Sequence, residues 1–143
     1  MDCPFCHIPQ QEKHRMLYEG DKVVAILSNP RLMPGHTLVI PKRHVEKLSE
    51  LTSKELPELM NTVIKFEEQV LDNIAPGCDI SQHYRPFIAQ NANKVDHLHV
   101  HLHPRWNEDE LYEKAQINHN EIFTELKDKE RKEMKEKLKI TDN

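Results

Sequence analysis

The chain has 143 residues, 31% charged and 37% hydrophobic, with a formal net charge of −4. That length suits one domain with one core, and the acidic balance argues against a nonspecific nucleic-acid binder, so no specific nucleic-acid partner is expected. No apolar run is long enough to cross a membrane and no secretory signal opens the chain, which predicts a cytoplasmic protein whose three cysteines favour metal over disulfides.

Cys3-Pro4-Phe5-Cys6 comes first. Two residues between cysteines let both thiolates reach one ion, as in a zinc knuckle. The same spacing serves a redox pair, and two thiolates fill only half of a tetrahedral site. Residues 16–28 then predict a β-hairpin, with Glu19-Gly20-Asp21-Lys22 as its turn. Ser28 and Asn29 close the second arm. They are either ordinary turn residues or a polar contact at the mouth of a pocket, for example to a ribose hydroxyl. Met33-Pro34-Gly35-His36 leads into the short apolar strand Thr37-Leu38-Val39-Ile40-Pro41. His44 falls just past that strand, where its side chain is either a surface group or turns back toward a metal. His36 can equally be a hydrogen-bonded structural histidine.

Residues 52–74 predict the main helix. Thr52 and Glu55 make a capping box, and Leu56, Leu59, Met60, Val63, Phe66, Val70, Leu71 and Ile74 recur at three- and four-residue steps. This stripe reads as core packed on a sheet. Pro57 falls early enough to distort the first turns, and Pro76-Gly77 ends the helix. Residues 78–90 should hold a further strand, with Phe87-Ile88-Ala89 as its apolar end and Cys78 as a small buried residue. Asn91 and Asn93, in the polar turn that ends at Lys94, are either phosphate-binding amides or plain turn residues.

The densest signal is His97-Leu98-His99-Val100-His101-Leu102-His103. Side chains on a strand alternate faces, so the histidines share one face and the aliphatic residues the other. The aliphatic face predicts a core contact, and the histidine face a cleft, a metal or solvent. Beyond Trp106 charge takes over. Residues 108–138 predict an exposed helix supported by pairs such as Asp128/Lys132 and Glu133/Lys137.

Zinc takes four thiolate or imidazole ligands. Cys3, Cys6, His44 and one end of the histidine strand would complete a structural site with no position open to water. His99 and His101 then remain free. Two imidazoles two residues apart can divide labour at a phosphate, one attacking phosphorus and the other stabilising charge.

The run His97–Leu102 resembles the signature of the histidine triad (HIT) family, and residues 33–44 resemble that family's other recurrent block. Cys3-Pro4-Phe5-Cys6 resembles the N-terminus of its zinc-bearing bacterial members. Together these motifs cover residues 1–106, leaving 107–143 as a C-terminal helical extension. The resemblance implies an α+β fold, an antiparallel sheet with one main helix packed on it, and a two-fold homodimer. It implies a nucleotidyl hydrolase or transferase, cleaving nucleoside phosphoanhydrides such as dinucleoside polyphosphates, or phosphoramidates, through a nucleotidyl-histidine intermediate. His99 would be the nucleophile, and His101 would contact the phosphate and help the leaving group. His97 would join Cys3, Cys6 and His44 on a structural Zn2+, and Ser28 or Asn29 would meet the ribose. The chain departs from the family pattern before the strand. There the loop is shorter, Asn91 and Asn93 stand in for the usual amides, and Lys94 replaces a hydroxyl residue that bonds the phosphate. His103 lies beyond the triad and reads as a peripheral, solvent-facing residue. The competing reading is a zinc-stabilised nucleotide-binding module with little turnover.

Overall fold

A computed structural model describes residues 3–91, 93–115 and 123–139. Five strands form one sheet: β1 (Met16–Glu19), β2 (Val23–Leu27), β3 (Thr37–Pro41), β4 (Gly77–Gln82) and β5 (Val100–Arg105). Their order is β1-β2-β3-β5-β4, and every neighbouring pair is antiparallel. The helices are α1 (Ile8–Gln11), α2 (Glu55–Asn73), α3 (Glu110–Ala115) and α4 (Asp128–Lys137). The α+β architecture expected from the sequence is therefore the one observed. None of these helices is long and apolar enough to cross a membrane.

The period-2 pattern sorts the sheet into two faces. Val23, Ala25, Val39, Val100 and Leu102 turn toward α2 and bury Leu59 and Val63 against them. Val24, Ile26, Leu38 and Ile40 turn the other way and are covered by Ile8, Phe5 and Met16 from the N-terminal segment. Leu38 stands opposite His101 in the β3–β5 register, so the histidine face is the one the N-terminal segment overlies. The sheet thus presents the histidines to the same side as Cys3-Pro4-Phe5-Cys6.

Helix α2 starts as its sequence indicates. The Thr52 amide donates to Glu55 Oε1 at 2.9 Å, and the Glu55 amide donates to Thr52 Oγ1 at 3.1 Å. The Glu55 carboxylate also accepts two hydrogen bonds from Arg43, at 2.8 and 3.0 Å. Those bonds hold its pKa at about 2 and tie down the segment that carries His44. The helix continues through Pro57. Its apolar stripe divides, however. Leu59, Val63 and Val70 are buried, whereas Leu56, Met60, Ile64, Leu71 and Ile74 are 44–50% exposed.

Three expectations about elements change. The strand placed within residues 78–90 is β4, at the start of that span, and Phe87 is 82% exposed on a loop. Pro86 cannot donate to a ladder, so the apolar run after it is not a strand. The histidine strand begins at Val100. Before it, the Leu98 amide bonds the Val45 carbonyl at 2.6 Å instead of a β3 partner, which keeps the alternation while the ladder ends. The single helix expected over 108–138 is two described helices, and residues 123–127 between them are not helical. Asp109 starts α3 by accepting the Tyr112 amide at 2.9 Å.

Candidate active site and metal centre

The turn from β2 to β3 delivers His36. Gly35 has φ +84°, a left-handed conformation that favours glycine, and a Cβ there would lie 3.1 Å from both Ile74 and Pro104. This turn directs the Leu32 amide onto His36 Nδ1 at 3.1 Å. His36 Nε2 in turn lies 2.9 Å from His101 Nδ1. A backbone amide only donates, so His36 Nδ1 accepts and the proton of this neutral ring sits on Nε2. His101 Nδ1 therefore accepts as well, and His101 carries its own proton on Nε2.

His99 has the opposite tautomer. Its Nδ1 lies 2.7 Å from the His97 carbonyl, which only accepts, so Nδ1 holds the proton and Nε2 keeps its lone pair. Burial disfavours the charged form of all these rings. It brings His36 down from 6.5 to about 4 and His101 to about 2, and it lowers His99. At neutral pH the pair is thus one lone pair and one N–H, with the two ring centroids 4.7 Å apart.

Two cavities of about 550 and 560 Å³ meet at this pair and share His99, His101, Asn93, Val95 and Leu32. The second is completed by Phe5, Ser28 and Asn29, and the first by His83, Tyr84, Arg85 and Lys94. Phe5 stands edge-on to His99, centroids 5.2 Å apart. The Ser28 hydroxyl donates to the Pro30 carbonyl at 2.8 Å and keeps its acceptor capacity toward the cavity.

The residues before the strand are partly committed elsewhere. Asn91 Oδ1 accepts the Asn93 amide at 2.7 Å, so Asn91 chiefly builds the turn. Lys94 Nζ bonds Asp96 at 2.5 Å and also the Ile88 carbonyl, which neutralises much of the charge it would otherwise offer. His103 corrects the solvent-facing expectation: it is 7% exposed and lies against His36, centroids 4.2 Å apart. The His101 ring stacks on it as well, centroids 5.5 Å apart, and β4 pairs alongside with Asp79 opposite. Sequence reasoning missed His83 altogether and left His36 ambiguous. His83 belongs to no periodic pattern, and the His36–His101 bond spans 65 positions of chain.

The four expected metal ligands do converge. Among Cys3, Cys6, His44 and His97, all ligating atoms lie within 4.8 Å of one another. The sulfur-to-Nδ1 distances are 3.3 Å for Cys3–His97, 3.4 Å for Cys6–His44 and 3.6 Å for Cys6–His97. Bonds to tetrahedral zinc would set sulfur and nitrogen about 3.5 Å apart. His97 Nε2 bonds the Pro41 carbonyl at 2.7 Å, so its other nitrogen, Nδ1, points a lone pair into the cluster. The residues therefore fit a four-coordinate metal ion.

His36, His101 and His103 also cluster within 4.8 Å. They fit a metal poorly, because His36 Nε2 bears a proton. The 2.9 Å between His36 and His101 is also shorter than the roughly 3.3 Å between two imidazole ligands on zinc.

Known proteins match most of the chain. The model of the HIT domain matches residues 9–108. An uncharacterized HIT-like protein of Saccharolobus solfataricus is 34% identical over 110 residues, covering 75% of this chain and 76% of that protein. The AP-4-A phosphorylase of Mycobacterium tuberculosis is 33% identical over 108 residues, covering 74% of this chain but only 55% of the phosphorylase. A crystal structure of a HIT family member from Bacillus subtilis superposes with a TM-score of 0.77 over 100% of both chains, at 23% identity, which is a likeness of fold. The alternating histidines, the paired sheet that carries them and the extent of these matches lead to one assignment: the chain belongs to the HIT family.

Proposed function

We propose that the protein is a nucleotidyl hydrolase that cleaves nucleoside phosphoanhydrides or phosphoramidates. One observation carries the proposal. At the junction of two cavities His99 offers an unprotonated Nε2 and His101 an Nε2–H, each fixed in its tautomer by a partner on its far side. The lone pair attacks the α-phosphorus, giving a nucleotidyl-histidine. The N–H hydrogen-bonds the phosphate oxygens, where charge builds as the leaving group departs. The cavity with Phe5, Ser28 and Asn29 suits the nucleoside, with a polar edge for the ribose and an aromatic wall for the base. Asn93 reaches both cavities and is the amide best placed for the phosphate, with Asn91 and Lys94 behind it. The phosphorylase named among the relatives supports a dinucleoside polyphosphate as one substrate class.

The test is release of AMP from diadenosine polyphosphates and from an adenosine phosphoramidate. The protein is expected to turn over at least one of them. If it binds AMP and releases none from either, the second reading stands: a nucleotide-binding module with little turnover. The engagement of Lys94 by Asp96, at the position where the family resemblance implies a hydroxyl, favours that reading.

Residues 1–106 are the working unit in this proposal, and 107–143 a helical extension. The metal cluster takes Zn2+, which supplies no chemistry to the reaction and pins the N-terminal segment to the sheet. Thiols held this way suit the reducing cytoplasm. The unit works as a homodimer, with the exposed ridge of α2 and Ile80, 43% exposed on edge strand β4, meeting their two-fold mates. Sedimentation equilibrium is expected to give twice the chain mass. Met60→Asp/Ile64→Asp is expected to give monomers, and a wild-type monomer at micromolar concentration would rule the dimer out.

A further inference from the structure

A hydrogen-bond donor at His101 is not a proton source. The chain that fixes it starts at the Leu32 amide, passes through His36 and ends at His101. If His101 gave away its Nε2 proton, His36 could refill Nδ1 only by becoming an anion, because a backbone amide does not release its proton. Both rings are neutral at physiological pH, so the relay holds no spare proton. Lys94 is occupied by Asp96 and the Ile88 carbonyl. A leaving group that must be protonated needs another donor.

His83 stands in that place. It follows the last residue of β4, and its ring lies 5.3 Å from that of His101, centroid to centroid, at 31°. It lines the cavity on the side of the catalytic pair away from Phe5 and Ser28, together with Arg85. Unlike the strand histidines it is exposed, so solvent can reload it.

We infer that His83 is the proton donor to the leaving group, a catalytic histidine outside the signature run. The inference rests on the hydrolase reading above. In the first half-reaction His99 Nε2 bonds the α-phosphorus as the bond to the leaving nitrogen or oxygen breaks. The electron pair stays on the leaving atom, which takes a proton from the His83 imidazolium. In the second, water attacks phosphorus and passes a proton to neutral His83. The phosphorus–nitrogen pair returns to His99, and the nucleoside monophosphate leaves. Burial and the Arg85 charge favour the neutral ring in the free protein, and the anionic phosphate of the substrate acts in the opposite sense. Amines need this proton most, because an amide anion is a very poor leaving group.

Two substrates sharing the adenylyl half test the assignment: an N-alkyl adenosine phosphoramidate, whose amine must be protonated, and the p-nitrophenyl ester of AMP, whose phenolate leaves unprotonated. His83→Ala is expected to lose about 10²–10³-fold in kcat on the phosphoramidate and less than about tenfold on the ester. Added imidazole is expected to restore part of the phosphoramidate rate. His83→Asn keeps hydrogen-bonding capacity without an ionisable ring and is expected to behave like the alanine variant. Equal losses on the two substrates, or no loss on the phosphoramidate, would overturn the role of His83. A wild type inactive on both substrates would overturn the hydrolase reading itself and this inference with it.

Discussion

Replacing His99 with alanine is expected to lower AMP release by at least about 10⁴-fold, because the step that forms the nucleotidyl-histidine has no other nucleophile in place. The neighbouring rings cannot substitute. His101 presents an N–H rather than a lone pair, and its second nitrogen is filled by the proton of His36. His97 points Nδ1 into the cysteine cluster and Nε2 at the Pro41 carbonyl. The fold should survive, since Leu98, Val100 and Leu102 hold the segment in the core on the opposite face. His99→Asn adds a control, because its amide can still donate to the His97 carbonyl while lacking a nucleophilic nitrogen. Both variants should bind AMP about as well as the wild type, and rapid acid-free quenching should trap a labelled intermediate on the wild type alone. Retention of more than about one per cent of turnover by both variants would exclude attack by His99.

What could be read from the sequence was whatever depends on neighbours in the chain. The alternation at 97–103 assigned faces without a partner strand in view, because a strand's two-residue period alone decides them. The reciprocal bonds of Thr52 and Glu55 are likewise three residues apart. What escaped depends on distant chain. The same apolar stripe on α2 holds both the buried Leu59 and the exposed Ile64, and helical spacing cannot say which ridge meets the sheet. His103 looked peripheral because the strand that pairs beside it, β4, and the ring that packs on it, His36, are both remote in sequence. Phe87 misled for the opposite reason: an apolar residue with strand propensity sits on an exposed loop that follows Pro86. Of the site itself, the residues were visible but their proton positions were not. Those follow from the Leu32 amide and the His97 carbonyl, which are main-chain groups with no sequence signature.

Stripping the metal, by chelation under mild denaturation or by the Cys3→Ala/Cys6→Ala double variant, is expected to produce the largest loss of stability. Structural zinc contributes roughly 10–16 kcal/mol of apparent binding energy where the whole fold depends on it. Here the fold has a sheet and a main helix besides, so only part of that applies. The ligands on one side, Cys3 and Cys6, belong to the segment that carries Phe5 and the fully buried Ile8 onto the second face of the sheet. Releasing that segment uncovers Val24, Ile26, Leu38 and Ile40. A loss of about 3–5 kcal/mol, a fall in melting temperature on the order of 10 °C, is expected. His44→Ala should cost less, because His44 is exposed and its segment is also held by Arg43 and Glu55. Activity should fall by a second route. The Phe5 ring between the two cysteines packs edge-on against His99 and walls the cavity assigned to the nucleoside. Metal loss should therefore raise KM for the nucleotide more than it lowers kcat, a split that global destabilisation would not produce. Elemental analysis should find about one zinc per wild-type chain and none in the double variant. A full complement of metal without Cys3 and Cys6, or a melting temperature indifferent to chelator, would place the ion elsewhere and leave the four convergent side chains as a hydrogen-bonded cluster.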